Sequence, residues 1–197
     1  MIWRVNGEET NLERFMDLQR EIYPEVAAEM VGKPQGLVNL EIKKRVKERL
    51  CVEQLVKQEA VRRKIPIDEA EFEKAFKQFL KRKDVKETLK DAGPSRDRVK
   101  KDMRAALYAN EQYLRFIEGL GQDFTPSESE IKEAYGLADF HPSEGEEDKG
   151  KPPLEDVHDE IVAMLREAQG DIEFEQLVSK LYSDAQIVEV NLESYDD

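Results

Sequence analysis

The chain has 197 residues, of which 39% are hydrophobic and 38% are charged, and its formal net charge is −13. This length fits one large domain or two small ones. The apolar runs are too short for a transmembrane helix, and the start of the chain lacks the basic and apolar stretches of a signal peptide, so we expect neither.

The charges are unevenly distributed. Residues 41–104 contain 21 basic and 13 acidic residues, whereas residues 105–197 contain 6 basic and 24 acidic residues. Such asymmetry can indicate that the basic part binds nucleic acid. The basic residues alternate with acidic ones, and no aromatic stacking platform is interleaved with them. We therefore interpret them as solvated helix faces whose opposite charges favour docking of the two halves.

The first elements are a strand and a helix. Residues 2–7 alternate and then turn at Asn6-Gly7, which predicts a short strand. Residues 10–13 form a capping box that predicts the start of a helix. Pro24 lies inside the apolar stripe of this helix, so we expect a kink or break near Tyr23.

The central part of the chain is helical in pattern. Residues 37–64 predict one long helix, apolar on two sides and contacted from both, which we expect to be the spine of the fold. It contains Cys51, a lone cysteine that we interpret as a small buried hydrophobic residue. A capping box at residues 68–71 begins a phenylalanine-rich helix, and residues 85–92 form a short amphipathic piece.

Residues 96–120 predict another long helix. Its expected core stripe consists of Val99, Met103, Leu107, Leu114 and Ile117. Residues 125–128 combine a capping box with proline at the first helical position, a strong start signal. Residues 139–153 are an acidic Pro/Gly joint. After it we expect a helix that stops at Gly170, a further helix, and a strand at residues 185–191.

A lone strand at each end of a helical chain leaves backbone groups unpaired, which is costly where they are buried. The economical solution is that residues 2–6 pair with residues 186–191. The predicted fold class is therefore mainly α, closed by a short antiparallel strand pair from the two termini.

Several patterns occur in a particular order: VNGEET (residues 5–10), LVKQEA (55–60), TPSESEIKEAY (125–135), PLEDV (153–157) and LYSDAQI (181–187). This order resembles the SurA/PrsA-type chaperone-isomerases and, more loosely, the substrate-binding domain of trigger factor. The resemblance implies an N-terminal strand and helical chaperone core over residues 1–138. It also implies C-terminal helices and a strand over residues 154–197 that complete the same domain.

In the family that this chain resembles, a parvulin isomerase domain stands where the acidic joint lies. That domain carries two histidines in its pleated core and a Gly-Gly stretch. This chain has only His141 and His158 and no Gly-Gly. We therefore predict a SurA N-terminal-like helical chaperone domain that lacks the parvulin domain.

The residues predict no catalytic site, cofactor or metal. Cys51 is far along the chain from both histidines, and nucleophilic catalysis needs a base next to the nucleophile. His158 borders the apolar stripe of its helix, where a structural role is the simpler interpretation. No Gly-rich nucleotide turn or calcium-binding loop occurs.

With no catalytic, cofactor or metal site predicted, a binding surface is the remaining kind of functional site. Tyr108 and Phe116 project opposite Met103 and Leu114 on the helix over residues 96–120. Such an aromatic pair indicates either a second buried face or an exposed apolar contact site. If they are exposed, they are candidate peptide-binding residues, together with Tyr113 and Phe140.

The function that the resemblance implies is ATP-independent holding of unfolded or nascent polypeptide in an apolar cradle. Two alternatives stay open: a dedicated assembly or adaptor protein for one partner, and a prolyl isomerase with weak residual activity. We expect no nucleic-acid partner and no membrane insertion, and a homodimer stays open. The resemblance implies a periplasmic or cell-envelope location, with the cytoplasm as the alternative.

Overall fold

A computed structural model describes residues 2–138 and 151–190 of the chain. These residues form a mainly helical fold with a small antiparallel sheet, which confirms the predicted class. In chain order the elements are β1 (Ile2–Val5), β2 (Glu8–Glu9), α1 (Leu12–Glu29), α2 (Gln35–Arg62), α3 (Glu69–Phe79), α4 (Lys83–Asp91), a 3-10 turn (Gly93–Ser95), α5 (Arg96–Gly119), α6 (Glu128–Leu137), α7 (Leu154–Asp184) and β3 (Ile187–Val190).

Residues 2–5 and 187–190 meet in the sheet, as predicted. Strand β1 pairs antiparallel with β3, and Val5 lies opposite Ile187. The sheet has a third strand that was not predicted, because β2 pairs with the other edge of β1. Asn6 and Gly7 both have positive φ, at 51° and 87°. Positive φ at both central residues is typical of the type I′ turn that joins hairpin strands.

Thr10 belongs to the sheet and does not cap α1. Its hydroxyl Oγ1 accepts a hydrogen bond from the backbone N–H of Trp3 at 3.1 Å, and its own N–H donates to the Trp3 carbonyl at 2.8 Å. The N-cap of α1 is instead Asn11, whose Oδ1 accepts from Arg14 N at 3.0 Å. Helix α1 continues through Pro24, so the expected break near Tyr23 does not occur.

The chain divides into two compact units. The first comprises residues 1–113 and 178–197, and the second comprises residues 114–177. The boundaries therefore fall inside α5 and α7.

The core of the first unit lies between the sheet, α1 and α2. The long helix α2 is its spine, as predicted, and Cys51 is fully buried in it. The buried members of this core are Trp3, Val5, Leu18, Ile22, Val26, Val38, Ile42, Val46, Leu50, Cys51 and Leu55. Partly buried Leu181 and Ile187, from the C-terminal end of the chain, pack against them.

The second unit has a smaller core. Ile131 of α6 packs with Val157 and Ile161 of α7. Helix α6 starts with a capping box formed by Ser127 and Glu130, two residues later than the predicted start.

Gly170 does not end a helix, contrary to the prediction. Helix α7 continues through it to Asp184, and Gly170 is the point where the turn after α5 comes closest to α7. A Cβ on Gly170 would lie 2.9 Å from the carbonyl oxygen of Leu120. A glycine inside a helix with a neighbouring backbone this close has a packing role.

Glu59 is a buried carboxylate near the end of α2, only 6% exposed. Arg62 Nε lies 2.6 Å from its Oε2, and Arg63 Nε lies 2.7 Å from its Oε1. The hydrogen bond from Arg62 is the main cause that lowers the pKa of Glu59 from 4.5 to about 2.

The ion pairs of Glu59 with Arg62 and Arg63 predict a pH-dependent contribution to stability. Because the folded-state pKa of Glu59 is depressed, its contribution is complete above the unfolded-state pKa and is lost as the pH falls towards about 2. We expect Glu59→Gln to reduce the free energy of unfolding more at about pH 6 than at about pH 3. Urea titrations at both values measure this difference. Glu48→Gln, at an exposed position of the same helix, is the control, and equal pH profiles for the two variants would contradict the prediction.

Candidate functional site

The first unit contains an open cleft of about 450 Å³ that includes the predicted residue Tyr108. We call it the Tyr108 cleft. It lies where the C-terminal end of α2 and the start of α3 meet the middle of α5. Its lining residues are Val61, Glu69, Arg104, Ala105, Tyr108, Ala109 and Gln112.

Tyr108 is half-buried and held in place from two sides. Its hydroxyl donates to Glu69 Oε1 at 2.8 Å, and its ring meets Phe72 edge to face with the ring centroids 5.1 Å apart. The hydrogen bond to Glu69, followed by burial, raises the pKa of Tyr108 above its ordinary value. The ring is therefore a fixed wall of the cleft.

Arg104 also lines the cleft. Its guanidinium donates to Glu73 Oε1 at 2.9 Å from Nε and 2.5 Å from Nη2. The same group lies 5.1 Å from the centroid of Phe72 and 5.9 Å from that of Tyr108. Its charge is thus engaged by a carboxylate and two aromatic rings, and the side chain lines the cleft.

The side-chain amide of Gln112 also has a hydrogen-bond partner. Gln112 is buried and donates from Nε2 to the Ile65 carbonyl at 2.9 Å. Ala105 and Ala109 are small and leave room for a ligand, and Val61 is 44% exposed. The cleft therefore offers apolar surface and few free hydrogen-bonding groups, which suits apolar side chains without sequence selectivity.

Sequence reasoning missed Val61, Ala105 and Ala109. Small and aliphatic side chains at helical spacing do not distinguish a trough from a core. The usable signal is the spacing of Ala105, Tyr108, Ala109 and Gln112, which places all four on one face of α5.

Tyr113 does not join Tyr108. It lines a separate cleft of about 260 Å³ near Arg14, Glu53 and Lys57. Arg14 Nη2 forms an ion pair with Glu53 Oε1 at 2.8 Å, and Lys57 Nζ lies 5.9 Å from the Tyr113 ring centroid. Burial is the main cause that raises the pKa of Tyr113. This cleft is polar, so Tyr113 is a weaker candidate for apolar contact than Tyr108.

Phe116 is buried, with 6% of its surface exposed. Of the two alternatives that the sequence left open, a buried face or an exposed contact site, the structure therefore shows the buried face. Conversely, Leu114 of the expected core stripe is 45% exposed. The predicted core side of α5 is therefore wrong around this position. The remaining candidate, Phe140, lies outside the described residues, as do His141 and most of the acidic joint.

The second unit has its own cleft, of about 630 Å³, between the end of α5 and the middle of α7. Its apolar members are Ile117, Leu120, Ala163 and Phe174, and its charged members are Glu118, Arg166, Glu167 and Asp171. Residues 114–177 contain 18 acidic and 5 basic residues. Since their net charge equals that of the whole chain, the rest of the sequence is formally neutral.

Residues typical of catalysis are not assembled into a site in the part of the chain that the structure describes. Cys51 is buried, which raises the pKa of its thiol. His158 is partly exposed, and its Nδ1 lies 3.2 Å from Asp159 Oδ1. Within residues 2–138 and 151–190, no three His, Cys, Asp or Glu side chains come together as a metal site. No helix in these ranges has the length and apolar character needed to span a bilayer.

No protein-family model, curated protein or solved structure matches this chain significantly. The resemblance to SurA/PrsA-type chaperones stays a prediction that rests on the patterns of the sequence, and the functional argument rests on the clefts.

Proposed function

We propose that this protein is an ATP-independent holdase that binds apolar side chains of unfolded polypeptide in the Tyr108 cleft. The observation that carries the proposal is the character of this cleft. It is open and largely apolar, and its Tyr108, Arg104 and Gln112 polar groups already have partners within the protein. A ligand therefore gains mainly from removing apolar surface from water, which is non-directional and sequence-tolerant.

The surroundings of the cleft support this proposal. Exposed charged residues keep the protein soluble while the apolar trough stays open, and the net charge of −13 opposes self-association. The wall does not need to reorganise, since Tyr108 is fixed by Glu69 and Phe72. A cleft of this size accommodates one or two side chains, so we expect weak and transient binding.

The direct test is suppression of client aggregation without nucleotide. We expect a molar excess of the protein to reduce light scattering by a chemically unfolded client. The double variant Val61→Glu/Ala105→Glu should lose about half of this effect or more, because it places charges on the apolar surface that the client covers. Both positions are exposed, so the substitutions leave the core intact.

The matched control is Leu40→Glu/Ala106→Glu, which adds the same two charges at exposed positions of the same two helices, outside the cleft. It should retain wild-type activity. An unchanged scattering curve with excess wild-type protein would refute the holdase function. Equal loss of activity in both variants would show that the holdase function does not depend on the Tyr108 cleft. A pull-down that recovers one tight partner and no spread of clients would favour a dedicated adaptor.

A further inference from the structure

A further cleft in the first unit has the opposite character from the Tyr108 cleft and shares no residue with it. We propose that it binds an acidic segment of polypeptide in which carboxylates are interspersed with aliphatic side chains. It lies between α4 and the start of α5, has a volume of about 540 Å³, and we call it the α4–α5 cleft. Its lining residues are Leu80, Lys86, Leu89, Lys90, Gly93, Arg96 and Lys100.

Four of the seven lining residues are cations, and no acidic residue is among them. None of the four forms an ion pair within residues 2–138 and 151–190. Four other cations of residues 81–104 are paired: Arg82 with Asp84 at 2.7 Å, Lys83 with Glu87 at 3.9 Å, Arg98 with Asp102 at 3.9 Å and Arg104 with Glu73 at 2.5 Å. Six cations of this range form no ion pair with the described residues, and four of these six line the cleft, the others being Lys81 and Lys101.

The spacing of these cations is unfavourable in the absence of an anion. Lys86 and Lys90 are four residues apart on α4, and Arg96 and Lys100 are four residues apart on α5. Like charges at this spacing are neighbours on one helix face and destabilise it. The N-terminus of α5 begins at Arg96, and its helix dipole adds further positive potential at the same place. An anionic ligand would relieve all of these interactions together.

The floor of the cleft indicates which kind of anion fits. Leu80 and the buried Leu89 contribute apolar surface between the cations, and no aromatic ring lines the cleft. Single-stranded nucleic acid binds through stacking on aromatic rings, which this cleft does not offer. An acidic peptide with aliphatic residues matches both the cations and the leucines.

The experiment uses the full chain and fluorescence anisotropy. The probes are a labelled peptide of alternating Glu and Leu, a matching peptide of alternating Lys and Leu, and a labelled single-stranded oligonucleotide. We expect the protein to bind the acidic peptide, more weakly as salt increases, whereas binding of the basic peptide should not depend on the four lining cations. The variant Lys86→Gln/Lys90→Gln/Arg96→Gln/Lys100→Gln should lose about tenfold or more in affinity.

The matched control removes four exposed cations elsewhere in the first unit, by Lys33→Gln/Lys44→Gln/Lys74→Gln/Lys77→Gln. It should change the affinity by less than about twofold. Thermal unfolding separates binding from folding, because the cleft variant loses like-charge repulsion and should unfold at the same temperature as wild type or higher.

Three results would overturn the proposal. The first is no binding of the acidic peptide by the wild-type protein. The second is an equal loss in the control variant. The third is tighter binding of the oligonucleotide through the same four cations, which would make the cleft a nucleic-acid site. The Val61→Glu/Ala105→Glu variant should bind the acidic peptide normally, so failure of the holdase function and failure of this site can be told apart.

Discussion

We expect Gly121→Ala to destabilise the second unit by about 3 kcal/mol or more. Gly121 has φ +72° in the turn after α5, a backbone conformation that costs energy for any residue with a Cβ. An added Cβ would overlap the carbonyl oxygen of Arg166 and lie 2.6 Å from the backbone nitrogen of Gly170. Both obstacles are backbone atoms of a continuous helix, so they cannot move aside as the end of a side chain could.

The measurement is chemical unfolding followed by circular dichroism, with hydrogen exchange of the α7 amides to localise the loss. Gly119→Ala is the matched control, because Gly119 is the last residue of α5 and a Cβ there would meet nothing within 4 Å. Alanine is the better helix former, so this variant should be unchanged or slightly more stable. Equal destabilisation by the two substitutions would show that the contact between Gly121 and Gly170 does not matter.

Gly170 also shows why part of the fold could not be predicted. Glycine after an apolar helical stripe is the usual signal for a helix end. A glycine at a close approach of two backbones gives the same local pattern. The distinguishing partner, Gly121, lies far along the chain, and nothing in the sequence links the two positions.

Other features were predictable because their physical cause is local or unambiguous. One apolar side of α2 is buried along its length, and a second side is buried from Cys51 onwards, a pattern that indicates a contacted helix. Leu40, on the predicted second side, is exposed. The terminal strands could be paired in advance, because an otherwise helical sequence offers each of them few other partners.

The candidate sites could be predicted only in part. Helix α5 carries apolar residues on two opposite sides, and the sequence does not specify which one is covered. The structure buries Phe116, for which the sequence left both outcomes open, and exposes Leu114 of the expected core stripe. Tyr108, a candidate from the sequence, lines a surface cleft, but Val61 comes from another helix and only the tertiary arrangement brings it there.

The α4–α5 cleft illustrates the same limit for charges. The basic character of residues 41–104 is evident from composition. Because these basic residues alternate with acidic ones along the sequence, the pattern favours their interpretation as solvated helix faces. The helical geometry separates these charges, because acidic partners lie beside Arg82, Lys83 and Arg98 while the four lining cations share one concave surface.

The second large effect concerns the sheet that joins the two ends of the chain. Trp3 is fully buried, its ring centroid lies 5.8 Å from that of Phe15, and its backbone pairs with Thr10 on one side and Glu189 on the other. We expect Trp3→Ala to reduce the free energy of unfolding by about 4 kcal/mol, since it removes the largest fully buried side chain of the first unit. That is a large part of the stability of a typical domain.

Val188→Ala provides the control on the same sheet. Val188 lies on β3 opposite Arg4, on the other face from Trp3, and is 59% exposed, so its truncation should cost about 0.5 kcal/mol or less. Urea unfolding followed at 222 nm suits all the variants, because Trp3 is the single tryptophan of the chain and its fluorescence disappears with it.

A third substitution separates the volume of Trp3 from its polar group. The indole Nε1 is buried and has no hydrogen-bond partner among the described residues. Trp3→Phe removes this unsatisfied donor while it keeps an aromatic ring against Phe15, so the loss of filled volume is partly offset. We expect this variant to lose about 1 to 2 kcal/mol, well below the alanine variant. If Trp3→Ala were no more costly than Val188→Ala, the sheet of β1 and β3 would not be part of the core. Pairing of these strands could then not support the helices that carry the Tyr108 and α4–α5 clefts.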